Sequence, residues 1–429
     1  MPLLILHFPT SGPVVRIGPN EVHLSDPENK EIIYSMSSRY AKSPVFYNAL
    51  YHKRAMLNPF FSRRMVLELE GVVQHKAAKI VDLMSSAIAA DRPVDLHHAF
   101  RALSVDVISD YAFNKSYDLL DSPNLGAHFF AMARGVGPAM YVFQQFPSLQ
   151  RLAMKIPPWL APMLSRPLGY VVGMQMEGVK QIEDVRTRME SGKLGTARPT
   201  IFSELLDPEK QDGWPVPSTM ELKDEVYSLL VAAADTTGNA MTRAAFHVIN
   251  DQQAYSKLRS ELLAAFPDPQ AKQDFVTLER LPYLTAVIKE ALRLSLGVIG
   301  RLPRVVPEGS AKFNGYFVPA GTIVGMSSWL MHLNSDVFPN PTKFNPERWL
   351  DPVEYRRLDR HMVPFGGGSR QCVGMPLAYC ELYVTIGTFF HRFDDLAVWE
   401  TTEDDLDHDD FFSSYHVKGK RWFKAIARG

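Results

Sequence analysis

The sequence predicts an α+β protein that is mostly helical and carries small β-sheets near its start and after residue 300. Apolar residues recur with helical spacing over most of the stretch from about 63 to 250. Short apolar runs flanked by turn residues, such as those within 12–35, predict strands. Since no Gly/Ser linker, low-complexity tract or repeat divides the chain, we expect residues 1–429 to form a single domain.

The composition is that of an ordinary globular protein, with 46% hydrophobic and 22% charged residues. A net charge of −1 gives no reason to expect a nucleic-acid partner. The two cysteines exclude a disulfide scaffold, suit a reducing compartment and belong to no zinc or covalent-haem pattern. A membrane-spanning helix needs about 20 apolar residues. No such run occurs, so the chain as written is expected to be soluble.

The first elements are predicted to be strands, and the helices follow. Val14–Ile17 and Val22–Leu24 predict two short strands within 12–35, where we expect only strands and turns. The segment 128–170 is rich in Phe, Met, Pro and Trp, with Trp159 and Met163 as examples. Such residues usually pack in the core. The alternative is an apolar cap that contacts substrate or a membrane surface.

Later elements have clear start and turn signals. Ser218 and Glu221 form a capping-box pattern that begins a long helix, which runs to about Asn250. A second helix is predicted from Pro282 to about Leu294. The stretch 311–318 predicts a hairpin, because its Asn-Gly pair favours a tight turn.

Cys372 stands in the glycine-rich run from Phe365 to Gly374. Glycines let the backbone fold tightly, so that peptide N–H groups can point at the sulfur. A predicted helix with Pro376 near its start follows, and its positive end also favours a thiolate. A thiolate held in this way suits a soft or redox metal such as haem iron. A lone cysteine is usually a small buried hydrophobe, which is our prediction for Cys380.

The run from Phe365 to Gly374 resembles the haem-ligand loop of the cytochromes P-450, Phe-x-x-Gly-x-Arg-x-Cys-x-Gly, at every fixed position. The resemblance covers nearly the whole chain in the expected order, and it is greatest to fungal members that oxidise sesquiterpenes and other secondary metabolites. It implies the P-450 fold and heme b, with Cys372 as the axial ligand of the iron. The cofactor-binding residues of the loop would be Phe365, Gly368, Arg370, Cys372 and Gly374.

The long helix contains three alanines followed by Asp235 and Thr236. Small residues there let a large group approach the backbone. A threonine inside a helix often bonds to the carbonyl group four residues earlier, which leaves a purely local role open. The segment also resembles the small-residue/Asp-Thr pattern of the P-450 central helix. That resemblance implies that Asp235 and Thr236 are catalytic and relay protons.

Glu290 and Arg293 share one face of the helix predicted from Pro282. By themselves they predict a surface ion pair that contributes ~0–1 kcal/mol. The pair resembles the Glu-x-x-Arg motif of the P-450 family, and 346–349 resembles its Pro-Glu-Arg-Phe/Trp segment. The resemblance implies that Glu290, Arg293 and Arg348 form a buried network that supports the haem-ligand loop.

Haem carries two propionate groups, and guanidinium groups bind carboxylates bidentately. Arg370 is the first candidate partner. Arg301 and Arg54 resemble the family's other propionate arginines, although either could be a solvated surface arginine. The residues that we expect to face substrate follow the Glu290 helix and are Val298, Ile299 and Leu302.

Two departures from the family pattern affect the expected activity. The membrane anchor, proline-rich hinge and first helix of eukaryotic members are missing from the chain as written, which suggests an N-terminal truncation or an incomplete gene model. The segment before His52 is also short, and Leu50 replaces an expected Trp or His, for which His52 is a possible substitute. We therefore expect weak haem binding and poor turnover.

The predicted function is a haem-thiolate monooxygenase that inserts one oxygen atom of O2 into a lipophilic small molecule. Electrons are expected from an NADPH-dependent reductase, because the chain has no flavin or nicotinamide fingerprint. The family resemblance implies the cytoplasmic face of the endoplasmic reticulum membrane, with possible peripheral membrane contact. Two alternatives are a haem-binding but catalytically impaired protein and a reductase-independent isomerase or dehydratase. The intact Asp235–Thr236 pair argues against the last of these.

Overall fold

Helices make up most of the chain in a computed structural model. The structure describes residues 12–44, 54–135, 137–138, 142–143, 146–153, 155–192, 198–210, 215–268 and 270–428. The helices are α1 (Asn29–Tyr34), α2 (Arg54–Leu57), α3 (Arg63–Ala89), α4 (Leu96–Phe113), α5 (Ala127–Arg134), α6 (Pro147–Ala153), α7 (Ala161–Leu164), α8 (Arg166–Glu190), α9 (Ile201–Leu206), α10 (Thr219–Asn250), α11 (Gln252–Ala265), α12 (Phe275–Leu278), α13 (Pro282–Ser295), α14 (Ser328–His332), α15 (Pro352–Asp359) and α16 (Met375–Arg392). The prediction of a mostly helical α+β fold is confirmed.

The strands are short and form small sheets. They are β1 (Val14–Gly18), β2 (Glu21–Leu24), β3 (Ala41–Lys42), β4 (Val94–Asp95), β5 (Arg304–Val305), β6 (Ala311–Phe313), β7 (Tyr316–Val318), β8 (Ile323–Gly325), β9 (Leu396–Trp399), β10 (His408–Phe411), β11 (Ser413–His416) and β12 (Lys424–Ala427). The first sheet has the order β1-β2-β8-β5-β3, and the chain end joins a second sheet in the order β4-β12-β9. Only the β2–β8 pairing in the first sheet is parallel.

The hairpin predicted for 311–318 is confirmed as the β6–β7 pair, in which Phe313 lies opposite Tyr316. Its two turn residues, Asn314 and Gly315, have φ angles of 47° and 89°. Positive φ at both central positions is the requirement of a type I′ turn, and Asn-Gly meets it with little strain.

The long central helix α10 starts where the capping box predicts. The Ser218 hydroxyl accepts a hydrogen bond of 3.3 Å from the Glu221 amide, and the Glu221 carboxylate accepts one of 2.9 Å from the Ser218 amide. This reciprocal pair satisfies amide groups that the first turn of a helix leaves without partners. The helix ends at Asn250 as predicted, and it packs against α4, α8 and α13 along its length.

Two expectations from the sequence are wrong. The end of the 12–35 segment forms helix α1 instead of strands and turns, because one helical turn places Ile33 and Tyr34 against the first sheet. In the 128–170 segment, the side chains of Trp159 and Met163 are 71% and 76% exposed, so the prediction that they pack in the core is wrong. None of the helices in the described ranges combines the length and apolar composition needed to cross a bilayer.

Gly238 allows α10 and α4 to approach each other closely. A Cβ atom at this position would lie 2.5 Å from Arg101 Cγ and 3.2 Å from Arg101 Cα. The second contact is with backbone, which a change of side-chain rotamer cannot relieve. The close approach carries Arg101 to the side of α10 that also presents Asp235.

We predict that Gly238→Ala destabilises the protein by about 1–3 kcal/mol, because overpacking forces the two helices apart. The matched control is Gly173→Ala in α8, where an added Cβ meets nothing within 4 Å. The control should be neutral or stabilising by up to ~1 kcal/mol, since alanine favours helix more than glycine. Thermal unfolding of both variants checks the prediction, and equal stability of the two would contradict it.

Candidate functional site

Cys372 lies in a loop whose backbone requires glycine at two positions. Gly366 and Gly368 have φ angles of 70° and 65°, in the left-handed region that other residues rarely adopt. A Cβ atom on Gly368 would also lie 2.4 Å from the carbonyl oxygen of Ser35. A hydrogen bond of 2.8 Å from the Cys372 amide to the Phe365 carbonyl oxygen closes the loop.

Helix α16 begins directly after this loop, and its positive end lies beside the cysteine. Gly374 precedes the first helical residue, and a proline occupies the first turn, where its missing N–H costs no hydrogen bond. A Cβ atom on Gly374 would lie 3.9 Å from Cys372 Sγ. The helix end therefore favours a thiolate at Cys372, and this side chain is exposed to an incoming ligand.

Cys380, the other cysteine, is buried, whereas Cys372 is exposed. It is fully buried on α16, and burial raises the pKa of its thiol well above the usual value. Nearby carboxylates, Glu70 and Glu381 among them, raise that pKa further. A thiol that stays protonated is a poor metal ligand, which agrees with the packing role that the sequence predicts for Cys380.

Gly297 has two near neighbours at the candidate site: Thr236 of the central helix and Pro364, the residue before the Cys372 loop. A Cβ atom on Gly297 would lie 3.7 Å from Thr236 Cβ and 3.9 Å from the Pro364 carbonyl oxygen, so the three segments converge here. Ala232, one turn earlier in α10, is exposed although it lies in the middle of a long packed helix. The loop and the central helix thus each present an exposed residue, Cys372 and Ala232.

The donor set fits haem better than a metal ion held by protein alone. Among the described residues, no group of three or more His, Cys, Asp and Glu side chains is placed to hold a metal ion. A single exposed cysteine can supply one axial ligand, and haem brings the remaining ligands itself. The residues present therefore fit a haem-thiolate site.

Thr236 makes the local hydrogen bond that its helical position allows. Its Oγ1 donates to the Ala232 carbonyl oxygen at 2.8 Å. This bond fixes the hydroxyl in place on α10. The oxygen keeps its lone pairs, so it can still accept a hydrogen bond from another group.

Asp235 is buried in a double ion pair. Its carboxylate lies 2.8 Å from Arg101 Nε and 2.7 Å from an Nη atom of Arg134. Burial by itself raises the pKa of Asp235, but the two guanidinium groups outweigh it and hold that pKa well below its usual range. At neutral pH the group is therefore a carboxylate, without a proton of its own to donate.

Arg101 and Arg134 are the functional residues that the sequence did not reveal. Arg101 is fully buried, and its guanidinium also donates to the His97 carbonyl oxygen at 2.8 Å and to Thr242 Oγ1 at 3.3 Å. Burial lowers the pKa of Arg101 to about 10, so it stays charged at neutral pH. The sequence gives one indication of the role of Arg101: it is an arginine within an apolar helical stretch, and a buried arginine needs a nearby anion.

The network implied for Glu290 is present and buried. Arg293 binds both carboxylate oxygens of Glu290, at 2.9 Å and 2.7 Å. Arg348 Nε donates to Oε1 at 3.1 Å, and Trp349 Nε1 donates to Oε2 at 2.9 Å. The Asn345 amide also donates to Oε1, at 3.0 Å. Glu290 therefore joins α13 to the segment that precedes the Cys372 loop, and the alternative of a surface ion pair is wrong.

The candidate propionate arginines lie in different surroundings. Arg370 is exposed in the turn before Cys372. Arg301 is paired with Glu21, and one of its Nη atoms lies 3.3 Å from a carboxylate oxygen. Arg54 begins α2, but its side chain lies outside the described part of the chain, as do Leu50 and His52 altogether.

The residues expected to face substrate divide into two groups. Val298 and Leu302 are partly exposed, and Leu302 Cδ1 would lie 3.6 Å from a Cβ atom on Gly366 of the Cys372 loop. Ile299 is buried, and its amide donates to the Phe412 carbonyl oxygen at 3.1 Å. Val298 also pairs with Ser413 of β11, so of the three residues only the Val298 and Leu302 side chains are partly exposed.

We predict that Glu290→Ala prevents accumulation of folded holoprotein, because it leaves buried arginines without a counter-charge at a cost of about 3–5 kcal/mol. The matched control is Glu354→Ala, which removes an exposed ion pair with Arg357 and should cost ~0–1 kcal/mol. Soluble yield and haem content of both variants are measured. Normal haem content in Glu290→Ala would show that the network is dispensable.

Comparison with known proteins agrees with this site. A family model described as Cytochrome P450 matches residues 29–416. The cytochrome P450 monooxygenase macH of Penicillium terrestre is 35% identical, over 93% of this chain and 81% of its own length. N-acetyltryptophan 6-hydroxylase ivoC of Emericella nidulans is 32% identical, over 96% of this chain and 84% of its own length. Tryptophan 6-hydroxylase fscE of Fusarium equiseti is 33% identical, over 89% of this chain and 78% of its own length. Because these matches span most of the chain and include the Cys372 loop and the Glu290 network, this protein belongs to the cytochrome P450 family.

Proposed function

We propose that this cytochrome P450 holds heme b through the Cys372 thiolate and inserts one oxygen atom of O2 into a lipophilic small molecule of fungal secondary metabolism. The observation that carries the proposal is the exposed Cys372 in a glycine-shaped loop, placed at the positive end of α16. When bound, haem supplies the oxygen activation that protein side chains lack. Cys372 would hold the haem iron through its thiolate, an electron-rich ligand that suits this oxygen chemistry.

The loop and three arginines would bind the cofactor. The Phe365 ring packs at a tilt against Tyr379 of α16, with ring centroids 5.1 Å apart, and this contact supports the loop. The close approach of Gly368 to Ser35 and the position of Gly374 beside the thiol keep the backbone compact. The guanidinium groups that would bind the propionates are those of Arg370, Arg301 and Arg54. Arg301 would exchange its present partner, Glu21, for a propionate.

Thr236 and Asp235 would divide the proton chemistry between them. The Thr236 hydroxyl holds a proton at Oγ1, and Thr236, like Pro364 before the Cys372 loop, is a near neighbour of Gly297. Asp235 is ionised and bound to Arg101 and Arg134, so it can take up a proton only when this ion pair loosens. Arg134 is the partner at which that can begin, because its side chain is 13% exposed and that of Arg101 is fully buried.

The proposed substrate class rests on the relatives and on the partly exposed apolar residues near the loop. Two fungal relatives are named as hydroxylases of tryptophan or N-acetyltryptophan. Val298 and Leu302 supply apolar surface beside the Cys372 loop. A lipophilic molecule with an oxidisable carbon fits such a lining.

The proposed electron donor is an NADPH-dependent reductase, and the proposed location is the cytoplasmic face of the endoplasmic reticulum membrane. Exposed apolar side chains of the 146–164 segment support a peripheral membrane contact, since aromatic and aliphatic groups favour the bilayer interface. They are Phe146, Leu149, Leu152, Trp159, Met163 and Leu164. We also propose that residues 1–429 form one domain, as supported by a buried cluster that draws on residues from Leu57 to Ala425.

We predict that Cys372→Ser abolishes the thiolate-type band of the reduced carbon monoxide complex, while Cys380→Ser keeps it. The first change removes the proposed ligand. The second alters a buried packing position whose thiol stays protonated. The spectrum is recorded at equal haem concentration for both variants and the parent. If Cys380→Ser loses the band and Cys372→Ser retains it, the ligand assignment is wrong.

We predict that Thr236→Ala binds haem normally but releases more peroxide per NADPH consumed, because a missing hydroxyl disturbs proton delivery and leaves metal ligation intact. The matched control is Thr236→Ser, which retains the hydroxyl and should stay close to the parent. Peroxide and NADPH are measured with reductase and substrate present. An unchanged ratio in an active Thr236→Ala enzyme would remove Thr236 from the mechanism. A parent that consumes no NADPH would instead favour the impaired or the reductase-independent alternative.

A further inference from the structure

His332 connects the Glu290 network to the Cys372 loop. It ends helix α14 and is fully buried. One ring nitrogen, Nδ1, lies 3.0 Å from the Arg293 carbonyl oxygen, and the other, Nε2, lies 2.9 Å from the Val363 amide. Because an amide N–H can only donate, Nε2 accepts, so the ring proton is on Nδ1 and is donated to the Arg293 carbonyl.

His332 and Arg293 are joined by two hydrogen bonds, each from the side chain of one residue to the backbone carbonyl oxygen of the other. The Arg293 guanidinium donates to the His332 carbonyl oxygen at 2.9 Å, while the His332 ring donates to the Arg293 carbonyl. Burial and the charge of Arg293 lower the pKa of His332 to about 3. The ring is therefore neutral at physiological pH, as the acceptor role of Nε2 requires.

The Val363 peptide lies at the base of the Cys372 loop. Its carbonyl oxygen accepts a hydrogen bond of 3.0 Å from the Gly366 amide, and Phe365, two residues later, accepts the 2.8 Å bond from the Cys372 amide. A continuous series of hydrogen bonds and peptide units thus runs from Arg293 through His332 and Val363 to the backbone of Cys372.

We propose that His332 is a positioning residue that fixes the backbone of the Cys372 loop from the buried Glu290 network, an inference that rests on the proposed ligation of haem by Cys372. Its neutral ring, protonated at Nδ1, holds the Val363 peptide in place. Loss of the Nε2 acceptor leaves a buried amide without a partner, which is costly. The loop then opens locally, and the thiolate position is no longer maintained.

Two substitutions separate the acceptor function from simple burial. His332→Gln can place an amide oxygen near the position of Nε2 and so keep the bond from Val363. His332→Asn is shorter, reaches no further than Nδ1, and leaves the Val363 amide without an acceptor. The matched control is His391→Asn, since His391 is also buried and also lies 2.8 Å from a backbone carbonyl oxygen, that of Phe266. His391 belongs to the far end of α16.

Hydrogen–deuterium exchange of peptides covering Val363 and Cys372 is measured on the full-length, haem-loaded proteins, together with the reduced carbon monoxide spectrum. We expect exchange at Val363 to be about tenfold faster or more in His332→Asn, with partial loss of the thiolate-type band. The parent, His332→Gln and His391→Asn should all keep slow exchange and the band. Parental exchange and spectrum in His332→Asn would overturn the proposal.

A measurement on the unmutated protein covers the case in which His332→Asn does not fold. With 15N-labelled histidine, the His332 ring should show its proton on Nδ1, assigned by its absence from His332→Gln. A proton on Nε2 would overturn the proposal, since Nε2 could not then accept from Val363. If the parent lacks the thiolate-type band altogether, the proposal that Cys372 binds haem is wrong. The position of the proton on the His332 ring still tests whether Nε2 accepts a hydrogen bond from Val363.

Discussion

The buried carboxylate of Glu290 is the constraint on which the site depends. An ionised carboxylate in a protein interior is tolerated only when hydrogen bonds and opposite charges replace its hydration. Here the partners come from three parts of the chain: Arg293 on its own helix, the Asn345 amide, and the Arg348–Trp349 pair. Because all of them must be in place at once, the segment before the Cys372 loop can pack on α13 in one way only. Loss of any one partner would leave the remaining charges buried without compensation, which is costly.

A second buried carboxylate, Asp235, imposes a similar constraint on the central helix. It binds Arg101 from α4 and Arg134 from the end of α5, so three helices share one set of charges. The two ion pairs keep Asp235 ionised, so it carries no proton, whereas the adjacent Thr236 hydroxyl does. Any proton that reaches Asp235 must first compete with two guanidinium groups. Loosening of the partly exposed Arg134 is therefore the step that would make this carboxylate available.

The sequence predicted well those features that local interactions decide. The capping box at Ser218 begins α10 where expected, and the Asn314–Gly315 pair forms the turn of the β6–β7 hairpin. The family pattern also identified Glu290 and its partners. Arg101 and Arg134 could not be predicted, because their pairing with Asp235 joins residues more than 100 positions apart. Trp159 was expected in the core because of its apolar character, but its side chain is 71% exposed in the described part of the chain.

The Glu290 network and the Asp235 network hold two different parts of the candidate site in place. The Glu290 network holds the 345–349 segment on α13, and the Asp235 network holds the helix that carries Thr236 against α4, as the close approach at Gly238 also does. Thr236 and Pro364 are both near neighbours of Gly297, and α10 packs against α13, so the helix that carries Thr236 and the helix that carries Glu290 are held together. Chemistry that needs a ligand and a proton at a set separation requires both to be rigid. With the roles proposed for Cys372 and Thr236, that requirement offers a reason for charges buried at two places where apolar packing would cost less free energy.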